Sequence, residues 1–117
     1  MPFTVVVEHG IFLTVRASGP TLLADLCGLF DLVAQTAERQ NHRRALMDLL
    51  GVEMDLGFTD HLQLGAHAAQ TLRNLERVAS VVPERYRTGT SEKAAQKLGL
   101  QLRTFTSLPE GLAWLKG

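Results

Sequence analysis

Hydrophobic and polar positions change period several times along the chain, and each change predicts an element. Phe3 to Glu8 is rich in β-branched residues and predicts a strand. His9-Gly10 predicts a two-residue turn, with Gly10 free to take positive φ. Ile11, Leu13 and Val15 then alternate with Phe12, Thr14 and Arg16, the period of a half-buried strand. The chain is thus expected to open with an antiparallel hairpin. Ser18-Gly19-Pro20-Thr21 is expected to break the strand and lead into a helix, because proline is tolerated in a first helical turn. Leu22, Leu26, Leu29, Phe30, Val33 and Ala37 follow at helical spacing, and Glu38 to His42 is a polar exit.

Arg44 to Leu49 predicts a third strand, apolar on both faces at Ala45-Leu46-Met47 as in a central parallel strand. A second helix is expected from Phe58-Thr59-Asp60, with Thr59 as N-cap and Asp60 favourably placed against the helix dipole. Its buried stripe is read as Leu62, Ala66, Ala69 and Leu72, with Gly65 a point of close approach. Val78 to Val82 predicts a fourth strand stopped by Pro83. The loop Glu84 to Thr90 leads to a third helix, Ser91 to Leu98, closed by Gly99. Leu100 to Phe105 predicts the last strand. Ser107-Leu108-Pro109-Glu110 has the form of a capping box opening a short helix, with Leu108, Leu112 and Leu115 on one face.

The order β-β-α-β-α-β-α-β-α, with no internal repeat or linker, predicts one α/β domain over residues 1–117. The expected sheet has five strands and is mixed: an N-terminal antiparallel hairpin, the remaining strands parallel, and four helices. Right-handed crossovers between adjacent strands put the helices mainly on one face. The other face then needs a covering segment, a partner or a ligand.

Composition removes several function classes. A 117-residue chain with 45% hydrophobic residues can build one globular core. Twelve basic and twelve acidic residues cancel, which argues against nucleic acid as a partner. The same neutrality opposes self-association only weakly, so a homodimer is an expectation. The single cysteine, Cys27, excludes an internal disulfide and suits a reducing compartment. No leader-like amino terminus or transmembrane segment is legible, so the expected setting is the cytoplasm.

Candidate chemistry is sparse. His61 and His67 are six positions apart and do not share a helix face as a metal pair would, so the histidines read as solvated or capping residues. No metal or cofactor motif is found, and Ser18, Ser80, Ser91 and Ser107 lack a nucleophile elbow. Cys27 reads as a small packed thiol. Two loops at strand carboxyl ends concentrate polar groups, where α/β proteins usually keep their sites. Asp48, Glu53, Asp55, Thr59 and Asp60 gather before and at the second helix. Arg85, Arg87, Thr88 and Ser91 precede or start the third, where basic side chains and free helix N–H groups suit an anion or a phosphorylated partner. The two loops are expected to be neighbours.

Three stretches together resemble the STAS/SpoIIAA-like superfamily, and more closely its small bacterial stand-alone domains related to STAS and CRAL-TRIO proteins. The first is Arg44-Ala45-Leu46-Met47-Asp48-Leu49-Leu50-Gly51-Val52, similar to the family's "DLxGV" strand and loop. The second is Arg77-Val78-Ala79-Ser80-Val81-Val82 ahead of Ser91-Glu92-Lys93-Ala94-Ala95. The third is Leu102-Arg103-Thr104-Phe105 followed by Glu110-Gly111-Leu112-Ala113-Trp114-Leu115.

The resemblance implies a SpoIIAA-like fold and a non-catalytic regulatory module that binds a protein partner. STAS antagonists of this kind are phosphorylated on Ser or Thr at the start of the helix after "DLxGV". Here the Ser pair is missing, and Thr59, displaced and followed by Asp60, reads as a cap rather than a switch. The CRAL-TRIO relation implies an alternative, the binding of a small anionic or apolar, lipid-like ligand.

Overall fold

In the computed structural model, which describes residues 3–117, one sheet runs in the order β1-β2-β3-β4-β5. The strands are β1 (Thr4–His9), β2 (Leu13–Thr21), β3 (Arg44–Met54), β4 (Arg77–Val81) and β5 (Leu102–Phe105). The helices are α1 (Leu23–Gln40), α2 (Phe58–Thr71), α3 (Thr90–Lys97) and α4 (Leu108–Lys116). β1 and β2 are antiparallel, and every later pairing is parallel. This is the element order and mixed sheet that the hydrophobic pattern predicts.

Each parallel crossover steps to the adjacent strand, so α1, α2 and α3 share one face of the sheet. Leu13, Val15, Met47, Val78 and Leu102 meet Leu26, Leu29, Val33 and Leu64 there in the main core. α4 covers the opposite face with a smaller core of Leu46, Ala79, Val81 and Leu115. Of the covering segment, partner or ligand that this face called for, the chain's own last helix takes the place. Gly111 lets α4 settle, since a Cβ there would lie 3.0 Å from the Val81 side chain. Two arginines on strand starts satisfy its last carbonyls: Arg44 Nη1 donates to Leu115 O at 2.6 Å and Arg77 Nη1 to Trp114 O at 2.7 Å.

Several boundaries differ from the sequence reading. His9 pairs with Leu13, so the hairpin turn has three residues, and Gly10 is not among the glycines with positive φ. β2 runs through Ser18-Gly19-Pro20-Thr21 instead of breaking there. Proline is tolerated because, among the described residues, pairing with β1 begins at Thr4–Ser18, and Gly19 to Thr21 bond only to β3. α1 consequently starts one turn late. Leu22 is its exposed N-cap rather than a core residue, and the Asp25 carboxylate accepts the Leu22 N–H at 2.8 Å.

β3 is also longer than expected and continues through Gly51 and Val52 to Met54. Arg16 pairs with Asp48, but Ser18 pairs with Gly51, so β3 carries one extra residue, a bulge. Gly51 is required there, because a Cβ would lie 2.8 Å from the Ser18 Cβ. The bulge resets the alternation. Leu46 faces α4, whereas Val52 and Met54 beyond the bulge join the main core.

α2 is rotated relative to the predicted stripe. His61, Leu64, Gly65, Ala68 and Ala69 are buried, while Leu62 and Ala66 are exposed. Its N-cap is Gly57, not Thr59, and Asp60 accepts the Gly57 N–H at 3.1 Å. Gly89, at φ 78°, precedes α3, and the loop before it contains a 3₁₀ turn at Glu84–Tyr86. Ser107 precedes α4 as expected but makes no side-chain cap bond.

Candidate functional site

The carboxyl ends of the parallel strands β3, β4 and β5 lie beneath α1, α2 and α3, and a cavity of about 50 Å³ sits between them. Its walls are mostly apolar. Phe30 comes from α1, Leu49 and Met54 from β3, Leu64 from α2, and Val82 and Leu102 from the β4 and β5 side. The bulge in β3 accounts for Met54, which without the extra residue would face the other side of the sheet.

Polar side chains interrupt this lining: His61, Ser80, Ser91, Glu92 and Thr104 from the helices and strands, and Tyr86, Arg87 and Thr88 from the loop after β4. His61 is only 9% exposed, and its Nδ1 lies 3.1 Å from Ser91 Oγ. The pair joins the first turn of α2 to the first turn of α3. Gly65 brings the two helices together, since a Cβ there would lie 2.7 Å from the Ala94 Cβ. Ser80, 7% exposed, stands on β4 between Val78 and Val82 and faces the helices. Exposed Arg87 and Thr88 form the rim. The Thr90 N–H donates to Thr88 Oγ1 at 3.3 Å, and Glu92 Oε2 accepts the Thr104 N–H at 2.5 Å, tying α3 to its loop and to β5.

The predicted site residues separate into two groups. Arg87, Thr88 and Ser91 line the cavity. Arg85 stacks on the neighbouring Tyr86 ring at 4.6 Å. A hydrogen bond from Arg85, and then one from the Met54 backbone, hold the Tyr86 phenol below its ordinary range. Met54, Tyr86 and Arg87 line one cavity, so the end of β3 and the loop after β4 are neighbours.

The acidic residues do not converge. Asp48 is mid-strand rather than at a strand end, and it lies on the α4 side of the sheet. There it accepts Arg16 Nε at 3.1 Å and the Leu50 N–H at 3.2 Å. Glu53, Asp55 and Thr59 are exposed, and Asp60, in the first turn of α2, spends its carboxylate on the Gly57 N–H. The sequence reading missed His61 and Ser80. His61 was legible as part of the alternative stripe His61-Leu64-Gly65-Ala68-Leu72, and Ser80 as the lone polar residue of the apolar run Val78 to Val82. Among the described residues, no group of three or more metal-ligating side chains forms, and no helix is long and apolar enough to cross a membrane.

Comparison with solved structures matches this arrangement over nearly the whole chain. An anti-sigma factor antagonist from Mycobacterium paratuberculosis superposes with a TM-score of 0.68 at 16% identity, covering 99% of this chain and 96% of that one. An uncharacterised DUF3478-family protein with a SpoIIAA-like fold, from Shewanella loihica PV-4, superposes with a TM-score of 0.57 at 19% identity, covering 97% and 93%. The chain has a SpoIIAA-like fold. No protein-family model and no curated protein matches the sequence. At these identities the shared property is the SpoIIAA-like backbone: the N-terminal hairpin, the parallel strands and the helices laid over them.

Proposed function

We propose that this SpoIIAA-like chain is a non-catalytic, STAS-like module that docks a protein partner on the start of α2. The observation that carries the reading is Phe58. It is 70% exposed in the first turn of α2, and Leu62, one turn on, is 39% exposed. Residues four apart share a helix face, so the two form an apolar ridge. Full burial of a fully exposed side chain of this kind is worth roughly 1.5–3 kcal/mol; a docked partner recovers most of that at Phe58 and a smaller share at Leu62, which is already largely covered. The full-length likeness to an anti-sigma factor antagonist supports a protein as the partner.

The reading needs no phosphoserine. Thr59 stands in the first turn, but Asp60 already supplies the negative charge that meets the Gly57 N–H. A docking surface of this kind is constitutive rather than gated by phosphate. The cavity beneath the helices is far too small for a lipid chain, which speaks against the lipid form of the ligand alternative.

The test is site-specific photo-crosslinking. A benzophenone side chain at position 58 or 62 should capture one protein that the same group at exposed Arg39 does not. The purified pair should bind in solution, and Phe58→Asp should abolish binding while leaving the far-UV spectrum unchanged. Equal capture from all three positions, or binding indifferent to Phe58→Asp and Leu62→Asp, would sink the reading.

A further inference from the structure

Beyond the protein-docking surface on α2, we infer that the cavity between α1–α3 and the sheet is a binding site for a small monocarboxylate. Its acid group would sit at the Arg87 rim and its apolar body beneath the helices.

Two polar groups inside the cavity have no use in holding the fold together. Ser80 is more than nine-tenths buried, yet its hydroxyl makes no hydrogen bond to any described residue. His61 uses Nδ1 for Ser91, and its Nε2 has no partner among the described residues. Neither atom is sealed in apolar packing, because every fully enclosed side-chain nitrogen or oxygen among the described residues is hydrogen-bonded. The space that reaches both residues is the cavity they line. A buried hydroxyl left without a partner costs roughly 1–3 kcal/mol unless water or a ligand completes it.

Size and charge narrow the ligand. About 50 Å³ holds roughly three to five water-sized groups. That suits a body of about two to four carbons and excludes a nucleotide or a fatty acid. The walls are hydrocarbon, so the body is apolar. At the rim, Arg87 forms no salt bridge with any described carboxylate, and the α3 start adds N–H groups that lack intrahelical partners. The one carboxylate in the lining, Glu92, turns Oε2 to the Thr104 N–H and keeps its charge. Arg87 is the one guanidinium or ammonium group among the described lining residues and has no salt bridge of its own, so the acid group is placed against Arg87. The Ser80 hydroxyl is available to donate to the carboxylate oxygen turned inward from Arg87, and His61 Nε2 is left to water or a polar substituent.

The experiment is a proton–nitrogen correlation NMR titration of the full chain with propionate, butyrate, octanoate and propionamide, using sodium chloride as the ionic control. Propionate and butyrate should give saturable shifts confined to the amides around His61, Ser80, Arg87 to Glu92 and Thr104. Propionamide, the same size without the charge, should bind about tenfold more weakly, and Arg87→Gln should weaken propionate by a similar factor. Octanoate should gain nothing from its extra length. Ser80→Ala, which keeps the strand intact, should lower affinity severalfold with the shift pattern otherwise preserved. Absence of saturable shifts in the tens-of-millimolar range would overturn the site. Equal binding of propionate and propionamide, or indifference to Arg87→Gln, would overturn its carboxylate assignment. The α2 ridge is untouched by these substitutions, so the outcome is independent of partner docking.

Discussion

Gly65 lies against the backbone of Ser91 so closely that a methyl group on it would run into the Ser91 carbonyl oxygen. It would also meet the Ala94 Cβ at 2.7 Å. α2 and α3 are held at backbone contact by the lack of one side chain, and the His61–Ser91 bond lies in the same crossing. In an exposed helix interior, glycine to alanine stabilises by up to about 1 kcal/mol. Here the sign reverses. Gly65→Ala should destabilise by about 1–2 kcal/mol, because parting two packed helices costs more than the propensity gain. Gly28→Ala on α1, where an added Cβ meets nothing within 4 Å, should stabilise by several tenths to about 1 kcal/mol. Urea denaturation of the two variants side by side measures both signs.

Asp48 is held on the face opposite the cavity and should matter for stability alone. Asp48→Ala removes the acceptor of both Arg16 Nε and the Leu50 N–H, and should cost about 1–3 kcal/mol. Glu8, which shares Arg16 across an exposed pair, should cost less than about 1 kcal/mol when changed to Gln. Denaturant midpoints check the contrast. Neither change should alter the propionate titration or crosslinking from position 58.

Acid should weaken the Arg44–Glu76 pair. The Arg44 guanidinium, hydrogen-bonded to Glu76 and beside it in charge, holds that carboxyl below its ordinary value of 4.5. A lowered folded-state value means that the pair's contribution is fully present above about pH 4.5. It is lost as pH falls through the folded value. Glu76→Gln should therefore flatten the acid limb of the stability–pH curve and leave its slope near neutrality unchanged, as read from thermal melts across the acid range.

Cys27 should react slowly. Burial beside the main core, and then the charge of Asp31, raise its thiol above the ordinary 9.0 and deplete the thiolate that attacks a disulfide reagent. Its rate with a chromogenic disulfide at pH 8 should fall well below that of a free thiol, and should rise towards it on unfolding in urea. A native rate equal to the unfolded one would contradict the packing of α1.

The places where the fold departs from local patterning share one cause. β3 reads as finished at Leu49 because Asp48 closes its apolar run and Gly51 has the look of a loop. Gly51 instead sits at a bulge inside the strand, and a bulge is defined by its partner's register. β2 looked finished at Ser18 because proline and glycine usually end strands. It continues because the last residues pair on one side only. On α2 two apolar stripes were available, one through Leu62 and Ala66, the other through Leu64 and Ala68. Single-helix periodicity does not separate them when alanine occurs on both, and the close approach at Gly65 does.

The element order, the hairpin start, the parallel strands and the helix-covered face follow from local patterning. Period-2 and helical spacings, glycine and proline punctuation and right-handed crossovers leave few arrangements for a 117-residue chain. Arg87, Thr88 and Ser91 were equally accessible, because a loop after a parallel strand must lie at the carboxyl end of the sheet. Long-range packing supplied the rest. It turned His61 and Ser80 inward, sent Asp48 to the opposite face with Arg16, left Phe58 in water, and enclosed an apolar cavity with unused polar atoms. Those outcomes depend on which helix face meets which strand, and no stretch of sequence carries that information by itself.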